Sequence, residues 1–514
     1  MPATYTVAID YDDDGDFTDP GEDISADVLE LRWRLGMAQP YDSVAAPTSA
    51  QITVRNASRA YSPEFTANDL SPGKPIRIQS NDGVTTRTHF TGFVSHVEPL
   101  PGAQGERTAI IHARGPEHEL SQNSVRLTPQ VNVRADQVIQ AALDAAHLRR
   151  SKMKGYWVLD KTNHHELGTN TRLAEDTIAR SLEAGKSTFA YAADTWADGV
   201  PVDVAIRQMA EAERGRFFIN RSGQAIFYNR HHTLLDTSAD AILTDSMDGV
   251  EYTYGADVVN QIEVTFIPRS IGPASTVLWS LGAAQAIPPG ETLFRHILVQ
   301  YRDANEQPIG ALTVIPPQRG VDYQANTLAN GAGLDRTAFL DVLLLAADAS
   351  AATLEIRNRS PQMVYLLPGA QLRGTPLYLG DPLTVSHKDD ERIAFHGLSR
   401  LSLRLPALDS LEAADQLARY ELARRKDPRG VVRTIRVSGQ NLLAQALART
   451  LFDRITVQET QTDHAADYFI VAEEHAVDRG GARHRATWLL ESVDASAFWV
   501  VGIGKLDLTA ILAY

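Results

Sequence analysis

Apolar and polar residues alternate through residues 5–9, 28–35, 52–54, 76–78, 90–97 and 108–111. A period of two predicts half-buried strands joined by turns, so residues 1–125 read as an all-β domain. From residue 133 the period lengthens. Ala135, Val138, Ile139, Ala142, Leu143 and Ala146 share one helical face, and Leu173, Thr177, Ile178, Ser181 and Leu182 share another. A third helix starts near Asp203 as N-cap, buries Ala205, Ile206, Met209 and Ala210, and stops at Gly215. It runs into 216–220, a Ser222-Gly223 turn and 225–228, the pattern of a hairpin. Residues 126–240 therefore read as a small α/β domain.

Strand character returns at 259–266 and again from about 374 onward. The stretch 272–373 between them is rich in Pro, Gly and Ala, with strand-like runs at 293–301 and 353–356, and reads as an inserted β-sandwich. Residues 241–271 and 374–514 are then the start and remainder of a second β domain. One helix interrupts it: Asp409 caps, Glu412 follows three residues on, and Leu411, Ala414, Leu417, Ala418 and Leu422 make a face that ends before Pro428.

The two β domains are related. A displacement of 379 residues lays Ile76, Gln79, Phe90, His96, Gly102, Ala103 and Thr108 on identical residues, seven matches over 36 positions, where chance supplies roughly two or three. With a further slip of four residues, Ile52 and Val54 fall on Ile435 and Val437. One β fold occurs twice, and three such chains would present six similar units in a ring.

Length and composition narrow the class. The 514 residues suffice for about three domains, and 43% hydrophobic with 22% charged residues is ordinary for globular chains. No apolar run approaches the roughly 18 residues of a membrane span, and no basic-then-apolar leader opens the sequence. Without cysteine there is no disulfide, thiolate nucleophile or cysteine-held metal. A net charge of −15 opposes wrapping of nucleic acid but suits a wall past which DNA slides.

The sharpest local motif is DYDDDGDFTD, residues 10–19. Asp10, Asp12 and Asp14 at positions 1, 3 and 5, with Gly15 at 6, match the first half of a calcium loop, and Asp16 would add a backbone carbonyl. Position 12 is Gly21, so closure falls to Asp19, Glu22 or Asp23. Eight acids in residues 10–23 repel one another without a counterion. Ca2+ stapling an N-terminal hairpin is the expected use. The pairs His164-His165 and His231-His232 cannot share one metal from a strand, and His464, His475 and His484 read as structural, His475 as the repeat of His96. No nucleophile elbow, zincin helix or phosphate loop occurs, so catalysis is not expected. Trp33, Trp157, Trp196, Trp279, Trp488 and Trp499 spread over all domains as core residues; Trp279, if exposed, could stack on a sugar.

Four stretches, residues 33–64, 205–230, 403–428 and 467–492, resemble tail hub proteins of tailed bacteriophages, also called baseplate hub or minor tail proteins. The resemblance implies two tail-tube-like β-barrels plus inserted domains, in a homotrimer at the distal end of the virion tail. It implies adaptation of a sixfold tube to a threefold tip, around the channel through which tape-measure protein and then DNA leave during genome ejection. Partners would be the tail tube or distal tail protein, the tape-measure protein, and tip or fibre proteins, with DNA passing unbound. Many relatives carry a cell-wall-degrading domain after the hub, and the end at Tyr514 leaves no room for one. The rival readings are a calcium-stabilised glycan-binding tail protein, recognising through 272–373, and a tail-associated peptidoglycan hydrolase.

Overall fold

The computed structural model describes residues 3–65, 70–100, 107–146, 178–196, 199–290, 292–493, 498–499 and 511–512. Its centre is a twelve-stranded sheet, whose strands are numbered here in chain order. The first six are β1 (Thr4–Ile9), β2 (Val28–Gly36), β3 (Ser49–Arg55), β4 (Pro75–Asn81), β5 (Thr86–Leu100) and β6 (Thr108–Arg114). The second six are β7 (Ala241–Leu243), β8 (Gly249–Tyr254), β9 (Gly430–Ser438), β10 (Arg454–Glu459), β11 (His464–Asp478) and β12 (Arg483–Ser492). Every strand expected in residues 1–125 is present. Their inward positions, such as Ile52, Val54, Ile76, Ile78 and Ile111, are fully buried, as a period of two on a half-buried sheet requires.

The spatial order of the first half is β1-β4-β5-β6-β3-β2, and that of the second is β7-β10-β11-β12-β9-β8. Adding six to each strand number converts one order into the other. The one difference is at the outer pair, antiparallel for β1 with β4 and parallel for β7 with β10.

Register corrects the residue-level repeat. Pro75 faces Phe93 across β4 and β5, and Arg454 faces Phe469 across β10 and β11. With Ile76 on Ile455, the counterpart of Phe469 is Phe93 and not Phe90. The bulges agree, lying between Val94 and His96 in one half and between Ile470 and Ala472 in the other. So do the flanking bonds, Gly73 N to Val94 O and Phe452 N to Ile470 O. The displacement of 379 holds for β4, whereas β5 requires 376 and β6, through Ile111 and Trp488, 377. His475 therefore repeats Pro99, and His96 repeats Ala472. Gly102 and Ala103 lie outside the described residues.

The two closed barrels are not observed. Among the described residues no sheet closes, and the halves are fused edge to edge. β2 pairs antiparallel with the outer half of β11, Leu31 opposite Val477 through Gly36 opposite Ala472. At Gly36, φ is +100° and a Cβ would run into the Val471 carbonyl and Ala472 Cα, so the close approach at this end of the seam requires glycine.

A second core is α/β. Helices Ala135–Ala145, Val202–Glu213 and Leu411–Arg425 pack with the hairpin Arg216–Ile219 and Ala225–Tyr228 around Ile139, Ile206, Phe227 and Leu417. Ser181 and Leu182, expected on a helix, lie in the strand Arg180–Leu182, which pairs with the hairpin; Leu173 and Thr177 lie outside the described residues. Three helix ends also differ from expectation: Pro201, not Asp203, stands at the N-cap of Val202–Glu213, which puts Asp203 in the first turn with no capping bond. Ser410, not Asp409, caps Leu411–Arg425 by accepting from Ala413 N, and Arg214 in the left-handed region ends Val202–Glu213 before Gly215. The strands Gln261–Phe266, Leu383–Lys388 and Arg400–Arg404, assigned by sequence to the second β domain, form a separate sheet under this core. Residues 269–379 contain three antiparallel sheets around Leu278, Tyr301, Leu354 and Leu372, where the sequence pattern predicts a sandwich over 272–373.

Candidate functional site

Three features carry chemistry: the seam of the central sheet, the acidic loop and a groove on the insertion. At the seam the Trp33 ring stacks on His475, centroids 4.8 Å apart at 8°. His475 Nδ1 lies 2.8 Å from His484 Nε2, and Tyr5 Oη lies 2.8 Å from His484 Nδ1. His89 packs beside Trp33 and bonds Ser80 Oγ at 2.7 Å. Burial pushes the imidazoles of His89 and His484 down to about 2 and that of His475 down as well, so all three are neutral. The late histidines thus act in the fold. His464 is apart from them, bonded to Tyr468.

Three arginines of the helix–hairpin segment reach into other parts of the chain. Arg221 grips Glu473 in β11 through two contacts of 2.7 and 2.6 Å. Arg216 reaches Glu491 in β12 at 2.6 Å, and Arg214 reaches Glu421 at 2.7 Å. Burial opposes ionisation of Glu473 and Glu421, but the facing guanidinium groups prevail and hold both carboxyls well below the usual range. No sequence signal marks these pairs, whose partners lie more than 200 residues apart in each case.

The acidic loop gathers part of its expected set. Ligand oxygens of Asp10, Asp12 and Glu22 lie within 4.8 Å of one another, as do those of Asp12, Asp14 and Asp19. The turn that brings them together has Asp13 and Gly15 at positive φ, with Asp14 N and Gly15 N donating to Asp10 at 3.2 and 3.0 Å. The Asp16 carboxylate is turned aside to Thr18 N and Oγ1, and that of Asp23 to Ser25, so neither side chain joins the group. Burial pushes the Asp10 and Glu22 carboxyls up; Asp19 also shifts up, from desolvation and then its acidic neighbours.

A cluster that sequence reading missed is His96, Glu98 and His112 on the surface of β5 and β6. The two rings stack at 4.2 Å and 7°. Parallel imidazoles cannot both aim an in-plane lone pair at one ion, so this arrangement does not chelate. Trp279 is half-buried and lines an open groove of about 950 Å³ with Tyr378, Gln300, Arg302, Asp303 and Asn305. His164, His165 and Trp157 lie outside the described residues.

No protein-family model and no curated protein matches the chain. Solved structures do. A 43 kDa tail protein of a Shewanella oneidensis prophage is 9% identical with a TM-score of 0.48, covering 96% of this chain and 99% of its own. The structural neighbours include prophage tail proteins and an Escherichia coli component of the type VI secretion system. A tail protein from Neisseria meningitidis is 12% identical with a TM-score of 0.46, covering 96% of this chain and 98% of its own. A prophage tail protein from Listeria monocytogenes is 9% identical with a TM-score of 0.38, covering 95% and 94%. No helix among the described residues is long and apolar enough to cross a membrane.

Proposed function

We propose that this chain is a non-enzymatic structural protein of a phage tail, a homotrimeric hub at the distal end that surrounds the exit channel for tape-measure protein and DNA. The observation that carries the reading is a repeated edge. Within one chain, β2 of the first half zips onto the outer half of β11 in the second. The counterparts of these two edges are β8 and residues 95–100 of β5. Among the described residues β8 pairs only with β9, and 95–100 pair only with β6. Placing β8 of one copy on β5 of the next repeats the internal seam between chains. Such a contact is heterologous, and it closes a ring when the rotation allows. Three chains then contribute six halves, which fits a sixfold tube on one side and a threefold tip on the other. The net charge of −15 suits a channel through which DNA passes without binding.

Light scattering on the purified chain and gold-labelled antibody on tailed particles test this. The expected results are a trimer and labelling at the distal tip. Tyr254 at the end of β8 is 70% exposed, so Tyr254→Glu leaves the protomer folded while disrupting the ring. A monomer at all concentrations, or label on side fibres, overturns the reading. The groove beside Trp279 favours glycan recognition as a second role: an aromatic face with surrounding amide, guanidinium and carboxylate groups matches the apolar face and hydroxyl rim of a sugar. Absence of binding on a glycan array removes that role.

A further inference from the structure

We infer that the loop 10–22 is a calcium site closed by Glu22, and that the bound ion clamps residues 22–24 onto the otherwise open edge of β1. Five carboxylates, those of Asp10, Asp12, Asp14, Asp19 and Glu22, converge through two triads that share Asp12. Within each triad the oxygens lie within 4.8 Å of one another, about the diameter of a calcium coordination sphere with bonds of ~2.4 Å.

The deciding observation is Glu22. Its residue is only 3% exposed, its Oε2 accepts from Asp19 N at 3.1 Å, and its Oε1 is buried without a well-formed hydrogen bond, the Tyr11 N–H being the other backbone donor that faces the carboxylate. A buried carboxylate oxygen without a well-formed hydrogen bond is costly, and a cation on it removes the cost. Asp10, fully buried beside it, accepts from the backbone N–H groups of Asp14 and Gly15 and lies against the Asp12 carboxyl. Two cations stand by: Lys74 Nζ bonds Tyr11 O and Asp13, and the Arg77 guanidinium lies over the Phe17 ring, close enough to feel the charges of Asp16 and Glu22.

Oxygen-only ligands select a hard cation, and a set of this size and flexibility fits the 6–8 ligands of Ca2+ better than the tight octahedron of Mg2+. The consequence for the fold is local. Ile9 N donates to Glu22 O at 3.0 Å, Ile24 N donates to Val7 O at 2.9 Å, and Val7 N donates to Ser25 Oγ at 2.9 Å. These bonds cover the free edge of β1, which would otherwise be open to pairing with another chain. Glu22 is thus both ligand and the first residue of the cover.

The test is calorimetric titration of the full chain, stripped with chelator, using CaCl2 and separately MgCl2, together with melting curves. The expected outcome is one Ca2+ per chain, a melting transition raised by about 5 °C, and little response to Mg2+. Glu22→Gln is expected to weaken Ca2+ binding at least tenfold, and Asp23→Asn to leave it unchanged. Asp12→Asn, at an exposed position, serves as a second variant should Glu22→Gln misfold. No uptake at millimolar Ca2+ with an unshifted melt overturns the site. An equal response to Mg2+ overturns the assignment to calcium, and wild-type binding by both Glu22→Gln and Asp12→Asn overturns the ligand set.

Discussion

Glu473→Gln tests whether the seam is held by charge as well as by strand pairing. Glu473 lies opposite Leu35 in the seam and is fully buried, with both carboxylate oxygens on Arg221. Arg221 also donates to the Leu447 carbonyl at 3.0 Å and the Arg449 carbonyl at 2.5 Å, so its guanidinium is fixed in place. The substitution keeps volume and removes one charge. Two unit charges about 3 Å apart at an effective dielectric of about 20 interact by roughly 5 kcal/mol. Breaking a buried pair while leaving one ion unpaired costs about 3–5 kcal/mol. The unpaired Arg221 keeps its carbonyl partners, so the lower end, about 3 kcal/mol, is expected. Urea unfolding followed by tryptophan fluorescence reads this, because Trp33 and Trp488 are buried in the two halves of the sheet. The double variant Arg221→Met with Glu473→Leu should lose less than Glu473→Gln alone, since no buried charge remains. A loss below about 1 kcal/mol for Glu473→Gln, or a double variant as unstable as the sum of the singles, refutes the reasoning.

The buried histidines make stability depend on pH. Their folded pKa values lie below the unfolded value of about 6.5, so the unfolded chain takes up protons first and stability falls as pH drops below about 6.5. Each neutral imidazole contributes up to about 1.4 kcal/mol of loss per pH unit, opposed by the Asp453 carboxyl, which burial pushes up to about 6. Melting temperature should therefore decline from pH 6.5 to 4.5, and His89→Gln should reduce that slope; a flat profile contradicts the neutral assignment. Gly36→Ala should destabilise by at least about 2 kcal/mol, because the new Cβ meets β11 backbone at a φ disfavoured for L residues. An unchanged urea midpoint would show that the seam relaxes at this point.

Much of the architecture was legible in one dimension. Period-two alternation marks every strand of the first half because each has one face in a core and one outside. The run through Ile206 and Met209 into Phe217, Ser222-Gly223 and Phe227 announces its helix and hairpin because periodicity and turn chemistry are local. Asp10, Asp12 and Asp14 are visible as a carboxylate series at spacings of two, and the loop itself brings Asp12 near each of the other two. The duplication was visible too, but its register was not. Chance identities such as Phe90 on Phe469 outweighed the true match of Phe93, because bulges and hairpin lengths shift residues without changing composition.

What tertiary structure decided is long-range. No local pattern says that Gln261–Phe266 leaves the second half of the sheet for the α/β core, that Arg221 finds Glu473, or that Trp33 meets His475 and His484. The sequence pattern does not say which of Asp19, Glu22 and Asp23 face the other acids; the backbone of 22–24 lying along β1 buries Glu22 Oε1 and turns Asp23 toward Ser25, while Asp19 stays beside Asp12 and Asp14. The sequence carries the elements because hydrogen bonding and side-chain direction within them are local. The joining of two halves through β2 and β11, and the open edges this leaves on β8 and β5, follow from which surfaces exclude water against each other, a property of the whole packed chain.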